Sequence, residues 1–394
     1  MSQPMAHGVS RARVSRARLS CTALLALGAS AALWASAYVP ADDNEVLAHL
    51  SPGTTHTSMQ VRQQAAARAD VALPLAQFYI SRARASGDLR LLGYAEAVLK
   101  RWISQSPPDP EALVLHASIL QSRHSFDAAL AELDQALRAR PDDVQAWLTR
   151  ATVLRVLGRY REAAAACAQF AQRADAGVSL ICEQSIAALS GHLQSAYAAL
   201  TELSTQGMLA PERAWRDSEL GEMAVRLGRE ADAERWFREG LACSPQDSYL
   251  RAAYADLLLR QHRSPEVLVL LEGQESIEPL LLRLAIAQKQ EHDPGLSRSA
   301  ELLQAAFAAE AERGEAVHQR EQARFLLEVQ DRRQEALAAA LANWAVQHEP
   351  DDALILVKAA RAADAPQRAQ PALEFARTQG LRDVRLTATA GSGS

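Results

Sequence analysis

The side chains in this 394-residue sequence best suited to nucleophilic, redox or metal chemistry are ten histidines and four cysteines. The histidines are His7, His49, His56, His116, His124, His192, His262, His292, His318 and His348, and no HExxH occurs among them. That motif works because it puts two imidazoles and a general base on one helix face. The closest pair, His49 and His56, has Pro52-Gly53 between its members, and His116 and His124 stand eight apart. Neither spacing holds two rings together, so surface or inter-helix positions are expected in place of a metal site. No phosphate loop GxxxxGK[ST], nucleophile elbow GxSxG or dinucleotide fingerprint GxGxxG is present. The cysteines (Cys21, Cys167, Cys182 and Cys243) include no CxxC, which removes dithiol-redox and zinc readings. The expectation is therefore no enzyme: no catalytic residue, no cofactor and no metal.

The elements that carry these residues are helical by composition. Apolar residues make up 48% and charged residues 23%, which allows a buried core and argues against a multispan membrane protein. Ala and Leu dominate while aromatics are 5%, which favours helix over strand.

The N-terminus reads as a targeting segment. Arg11, Arg13, Arg16 and Arg18 precede an uncharged stretch from Leu19 to Val39, which contains Ala35-Ser36-Ala37 and is followed by Asp42, Asp43 and Glu45. A basic region, an apolar region and an A-x-A site define a secretory leader cleaved after Ala37. The alternative is an uncleaved anchor, with residues 19–39 as an inner-membrane tether. Either way residues 1–37 are leader or anchor, the rest of the chain is exported, and its compartment is periplasmic or beyond. Without the four arginines the balance is 38 basic to 47 acidic residues, a net −9. An acidic mature chain is expected to have no nucleic-acid partner, because such binding needs clustered cations.

Residues 38–61, with Ser51-Pro52-Gly53-Thr54-Thr55, read as a linker, and a helix over about 62–73 is expected to cap the first helical unit. Beyond it the chain repeats at a period of 34. Ala95, Ala129 and Ala163 form one column; Leu99, Leu133 and Cys167 a second; Ala83, Ala117 and Ala151 a third. Tyr79, Leu113 and Trp147 precede the third column by four residues, and Leu92, Phe126 and Tyr160 form another. Pro107 and Pro141 punctuate the unit ends, with Asp175 where a third proline would fall. Apolar spacings of three and four make each unit two helices, with a small residue on one facing a small residue on the other. Each pair then leaves an apolar face that only the next pair can cover.

This pattern resembles the tetratricopeptide repeat, in an exported bacterial form with an N-terminal signal or anchor. Its best copy is Leu220-Gly221, Gly228, Ala233-x-x-x-Phe237 and Pro245. Degenerate units continue from 177 to 380, and the spacings Pro141 to Pro245 and Pro245 to Pro350 are each near three periods. The resemblance implies an all-α, right-handed solenoid over 62–380 with about eight or nine units, clearest at 76–175 and 214–247. Residues 381–394, ending Gly391-Ser392-Gly393-Ser394, are expected to fray.

In the repeat frame Cys167 and Cys182 lie on adjacent packed helices, so an oxidising compartment allows a bridge; the alternative is two unlinked core thiols. Cys243 is left over. The resemblance also implies that first helices line a concave wall. By register that wall presents Trp215, Glu219, Glu222 and Arg226, then Tyr249, Asp256 and Arg260, as a groove for a protein or peptide segment, or else as a solvated face. Thr149, Thr152 and Arg155 hold similar places earlier in the chain. The family's carboxylate clamp is not matched. A non-enzymatic exported scaffold for envelope or membrane-complex assembly is the expected role; the alternative is an accessory subunit that positions an enzyme in a biosynthetic or secretion machine.

Overall fold

A computed structural model of the chain describes residues 64, 65, 67–312 and 318–391. The leader or anchor expected over 1–37 and the linker over 38–61 lie outside them, as do His7, Cys21, His49 and His56. Among the described residues there is no strand, and no helix is long and apolar enough to cross a membrane.

The helices fall into successive pairs. They are α1 (Ala69–Ser86) with α2 (Arg90–Ser104), α3 (Pro110–Ser122) with α4 (Phe126–Ala139), and α5 (Val144–Val156) with α6 (Tyr160–Ala171). Next come α7 (Ala176–Ala187) with α8 (Leu193–Glu202), α9 (Ala210–Arg226) with α10 (Glu230–Cys243), and α11 (Ser248–Arg260) with the short α12 (Ser264–Leu270). Then follow α13 (Glu278–Gln290) with α14 (Leu296–Glu312), and α15 (Gln319–Arg324), continued by a π-helical turn over Phe325–Val329, with α16 (Arg333–Trp344). The last pair is α17 (Pro350–Ala362) with α18 (Gln370–Gln379), and α19 (Val384–Gly391) ends the chain. The result is an all-α solenoid of stacked helical hairpins.

Local chemistry sets the boundaries. Asp109, Asp143 and Asp247 each stand two residues after a proline and cap α3, α5 and α11. Their carboxylates accept from the backbone N–H of Ala112, Ala146 and Leu250 at 2.9–3.1 Å, satisfying donors that a helix start leaves open. The small-residue columns are the contact between paired helices: Ala95, Ala129 and Ala163 are fully buried, as are Leu99, Leu133 and Cys167. Gly221 shows how tight this contact is, since a Cβ there would stand 2.3 Å from Cε1 of Phe237.

Two expected boundaries are corrected. Among the described residues no helix ends near 73. α1 runs from Ala69 through Pro74, because Ala72, Ala76, Tyr79 and Ile80 form one continuous buried stripe. Nor does the chain fray from 381. α19 docks through Leu386, while Arg385 is held by Asp383 at 2.6 Å and Asp351 at 2.7 Å.

The cysteine expectation is met by a bridge: Cys167 on α6 and Cys182 on α7 are joined, with Cα atoms 5.7 Å apart. Cys243 is unbridged and half-buried.

The array also returns on itself. The His348 N–H donates to Val156 O at 2.8 Å, and the Tyr160 hydroxyl donates to His348 O at 3.0 Å. At Gly158, φ is +70° and a Cβ would stand 2.6 Å from the Phe375 ring, so the turn between α5 and α6 seats the last pair and has room for no side chain. At the other end the Ser248 hydroxyl donates to Arg84 O, and Gly87 abuts Ile277. One apolar cluster accordingly joins residues 113–189 to residues 323–386.

Candidate functional site

The first helices α5, α9, α11, α13, α15 and α17 line a cavity of about 840 Å³, to which α19 contributes Arg385. Its lining carries nine Lys or Arg side chains and six Asp or Glu side chains. Most of these are paired, and two pairs, Arg155 with Glu349 and Arg324 with Asp256, join the middle of the array to its last units. Asp256 on α11 accepts from Arg283 at 2.8 Å and from Arg324 at 2.8 and 3.0 Å, and these two guanidinia, outweighing burial, hold its carboxyl far below the usual range. Arg155 on α5 meets Glu219 at 2.7 Å, Glu349 at 3.5 Å and Glu222 at 3.7 Å. Arg320 on α15 meets Asp352 at 3.4 Å and Glu349 at 3.6 Å, and it lowers Glu321 to about 2 against the opposing effect of burial.

The seven residues expected to form an open groove are on α9 and α11, but they are not a free face. Glu219 and Arg226 are 6% and 5% exposed; Glu219 accepts from Arg155 on α5 and from Trp215, and Arg226 donates to Ala188 O after α7. Trp215 does not line the cavity; it is half-buried between two core clusters, and its Nε1 donates to Glu219 at 3.3 Å. Tyr249 does face the cavity, with its hydroxyl donating to Glu222. The cavity therefore gathers Glu222, Arg226, Tyr249, Asp256 and Arg260, with Arg155 from the earlier unit. Thr149 is buried and Thr152 half-buried on α5, its hydroxyl donating to Leu148 O, and neither lines the cavity.

The histidines divide by position. His124, His262 and His292 occupy the turns inside their pairs with φ of 53–56°, where Gly87, Gly158, Gly191 and Gly228 serve other units. His318 Nδ1 donates to Glu310 at 2.6 Å and lies 3.1 Å from Glu278 as an ion pair. Burial lowers its pKa, but bonds to the two carboxylates outweigh it and hold the ring at about 10. Among the described residues these three are the one set with metal-ligand chemistry. The two carboxylates pair with the imidazolium as an ion triad, which the sequence separation of 278, 310 and 318 conceals. His116 is likewise a clamp: Glu132 at 2.8 Å raises its pKa, against the opposing effect of burial.

Buried acids give the fold a pH signature. Burial, with Glu219 nearby, raises Glu222 to about 7, and burial raises Asp352 to about 6. The folded chain therefore holds protons that the unfolded chain releases, and stability is expected to fall as pH rises from about 5 through the titration of Glu222 and on to about 10, where His318 loses its proton. Asp256, Glu321 and Asp351 are shifted the other way, so a second loss is expected below about pH 4. Urea midpoints across this range check both arms, and Glu222→Gln is expected to flatten the upper one.

This geometry is that of a tetratricopeptide-like helical-repeat solenoid with a charged interior. No family model matches the chain, and no curated protein matches it. Among solved structures, a thermophilic TPR protein of Thermus thermophilus is 19% identical at TM-score 0.39, covering 50% of this chain and 99% of its own. A tetratricopeptide repeat protein from Parabacteroides merdae is 11% identical at TM-score 0.36, covering 79% and 99%. The human IFIT1 dimer with PPP-AAAA is 12% identical at TM-score 0.41, covering 81% and 83%. At these values the likeness transfers neither partner nor activity, and the fold assignment stands on the chain's own helices.

Proposed function

We propose that this chain is a non-enzymatic exported scaffold that holds a segment of a protein partner in the interior of its array, in the assembly of an envelope or membrane complex. The observation that carries the reading is the convergence of first helices on one cavity in which Tyr249, 54% exposed, stands among guanidinia. Aromatic and Arg side chains at a concave, partly desolvated surface are the usual anchors of protein recognition. The bridge between Cys167 and Cys182 fits export, since such bonds persist in oxidising compartments.

Site-specific photocrosslinking in the native host tests this. A crosslinker at Tyr249 is expected to trap one protein from the membrane or periplasmic fraction, and one at the exposed Arg235 on α10 is expected to trap none. Trapping only from Arg235 would move the interface to the outer helices. Recovery of the intact chain from the cytoplasm, with Met1 retained, would overturn the export part of the reading.

A further inference from the structure

The cavity's carboxylates are all committed. Asp256 serves Arg283 and Arg324, Glu321 lies by Arg283 and Arg320, and Glu328 serves Arg324 and Lys358. Glu349 serves Arg155 and Arg320, Asp351 serves Arg385, and Glu222 takes the Tyr249 hydroxyl beside Arg155. Two guanidinia are left over. Arg226, at the end of α9, has one hydrogen bond, from Nη1 to Ala188 O at 3.0 Å. Arg260, at the end of α11, bonds only Asp256 O at 3.1 Å, and its Nη2 is buried with no partner. Among the described residues no carboxylate lies within ion-pair distance of either.

These two arginines are 34 residues apart, at the same repeat position on neighbouring helices, and both line the cavity. Burying a guanidinium without a counter-charge is unfavourable, and a planar fork of donors matches the oxygens of a carboxylate or phosphate. Burial accordingly pulls both groups below the usual arginine range.

We infer that Arg226 and Arg260 form a seat for an oxyanion, carboxylate or phosphate, that enters the cavity as a ligand. This deepens the scaffold reading by naming what the held segment presents, an acidic side chain or a phosphoryl group; a free phosphate is the other source of the same chemistry. The cavity volume, about 840 Å³, falls within the range of ligand pockets, roughly 300–1,000 Å³.

The test is calorimetric titration of the full chain, at constant ionic strength, with inorganic phosphate and separately with an oligo-glutamate peptide and an oligo-glutamine control. Saturable binding of phosphate, of oligo-glutamate or of both is expected, with none for oligo-glutamine. Arg260→Gln is expected to weaken it at least tenfold, and Arg260→Lys less. The outer-face variant Arg235→Gln should leave it unchanged. Phosphate binding alone assigns the seat to a free anion or phosphoryl group, and peptide binding alone to a partner's acidic segment. Absence of binding by both, or equal affinity in Arg260→Gln and wild type, overturns the proposal. Should Arg260→Gln misfold, phosphate-specific thermal stabilisation of the wild type over chloride, lost in Arg226→Gln, is the supporting result, and its absence counts against. Binding by the purified chain is independent of where the crosslinked partner docks, so the two readings can fail separately.

Discussion

Replacing Asp256 with Ala is expected to destabilise the fold by about 3 kcal/mol, because the change leaves Arg283 without its close counter-charge and Arg324 with Glu328 alone. Arg283 and Arg324 reach Asp256 from the next helical pair and from α15, with side-chain exposures of 8% and 15%. Neither has an equivalent substitute, since Glu321 is 3.9 Å from Arg283 and Glu328 is already shared with Lys358. Asp256→Asn should cost nearly as much, as it keeps the shape and loses the charge. Replacing all three residues together, Asp256→Leu with Arg283→Met and Arg324→Met, should recover much of the loss, because no uncompensated charge is left. Urea denaturation of the three proteins checks this, and a single variant no less stable than wild type would contradict it.

Opening the bridge between Cys167 and Cys182 should lower stability by about 3 kcal/mol, the loop-entropy value for the 15-residue separation. Both cysteines are buried, at 0% and 2% exposure, so reduction will proceed only with unfolding. The midpoint in urea is therefore expected to drop with reductant in the wild type. It should be insensitive to reductant in a Cys167→Ala, Cys182→Ala double variant. Mass mapping of alkylated, denatured, unreduced protein should find Cys243 labelled and the other two protected. Labelling of all three would remove the bridge.

How much of this could be read from sequence depends on range. The helical pairs are local, and the columns at Ala95, Ala129 and Ala163 lie where the two helices of a pair touch. The unit starts were legible too, because Pro107, Pro141 and Pro245 each precede a capping Asp by two residues. A further column went unread: Gly87, His124, Gly158, Gly191, Gly228, His262, His292, Asp331 and Asp364 all take positive φ in the turn inside a pair. That column accounts for three of the histidines, His124, His262 and His292, since the turn tolerates Gly, His or Asp where a branched residue would be strained. The candidate site was half-legible. Register placed Glu222, Arg226, Tyr249, Asp256 and Arg260 on one wall, but nothing within 34 residues indicates Arg324, Glu349 or Arg385 opposite. Those contacts span 68 residues in the case of Asp256 and Arg324, and periodicity carries no information about how far the array curls. The C-terminal segment misled for the same reason: its sparse apolar residues suffice because Arg385 is tied to Asp351 and Asp383.

An open stack of hairpins holds each unit only by its two neighbours, so it can peel from either end, one unit at a time. The clasp of His348 and Phe375 onto Val156, Tyr160 and Gly158 changes that behaviour. The last units cannot leave without uncovering α5 and α6, and the first pair cannot leave without freeing Ser248 and Ile277. Terminal helices thereby acquire the protection of the middle of the chain, and amide exchange in α17 and α18 should follow global opening instead of end fraying. In a nearest-neighbour description the end-to-end contacts add a coupling that a linear chain of units lacks. The molecule is expected to melt as one block despite being built from repeats.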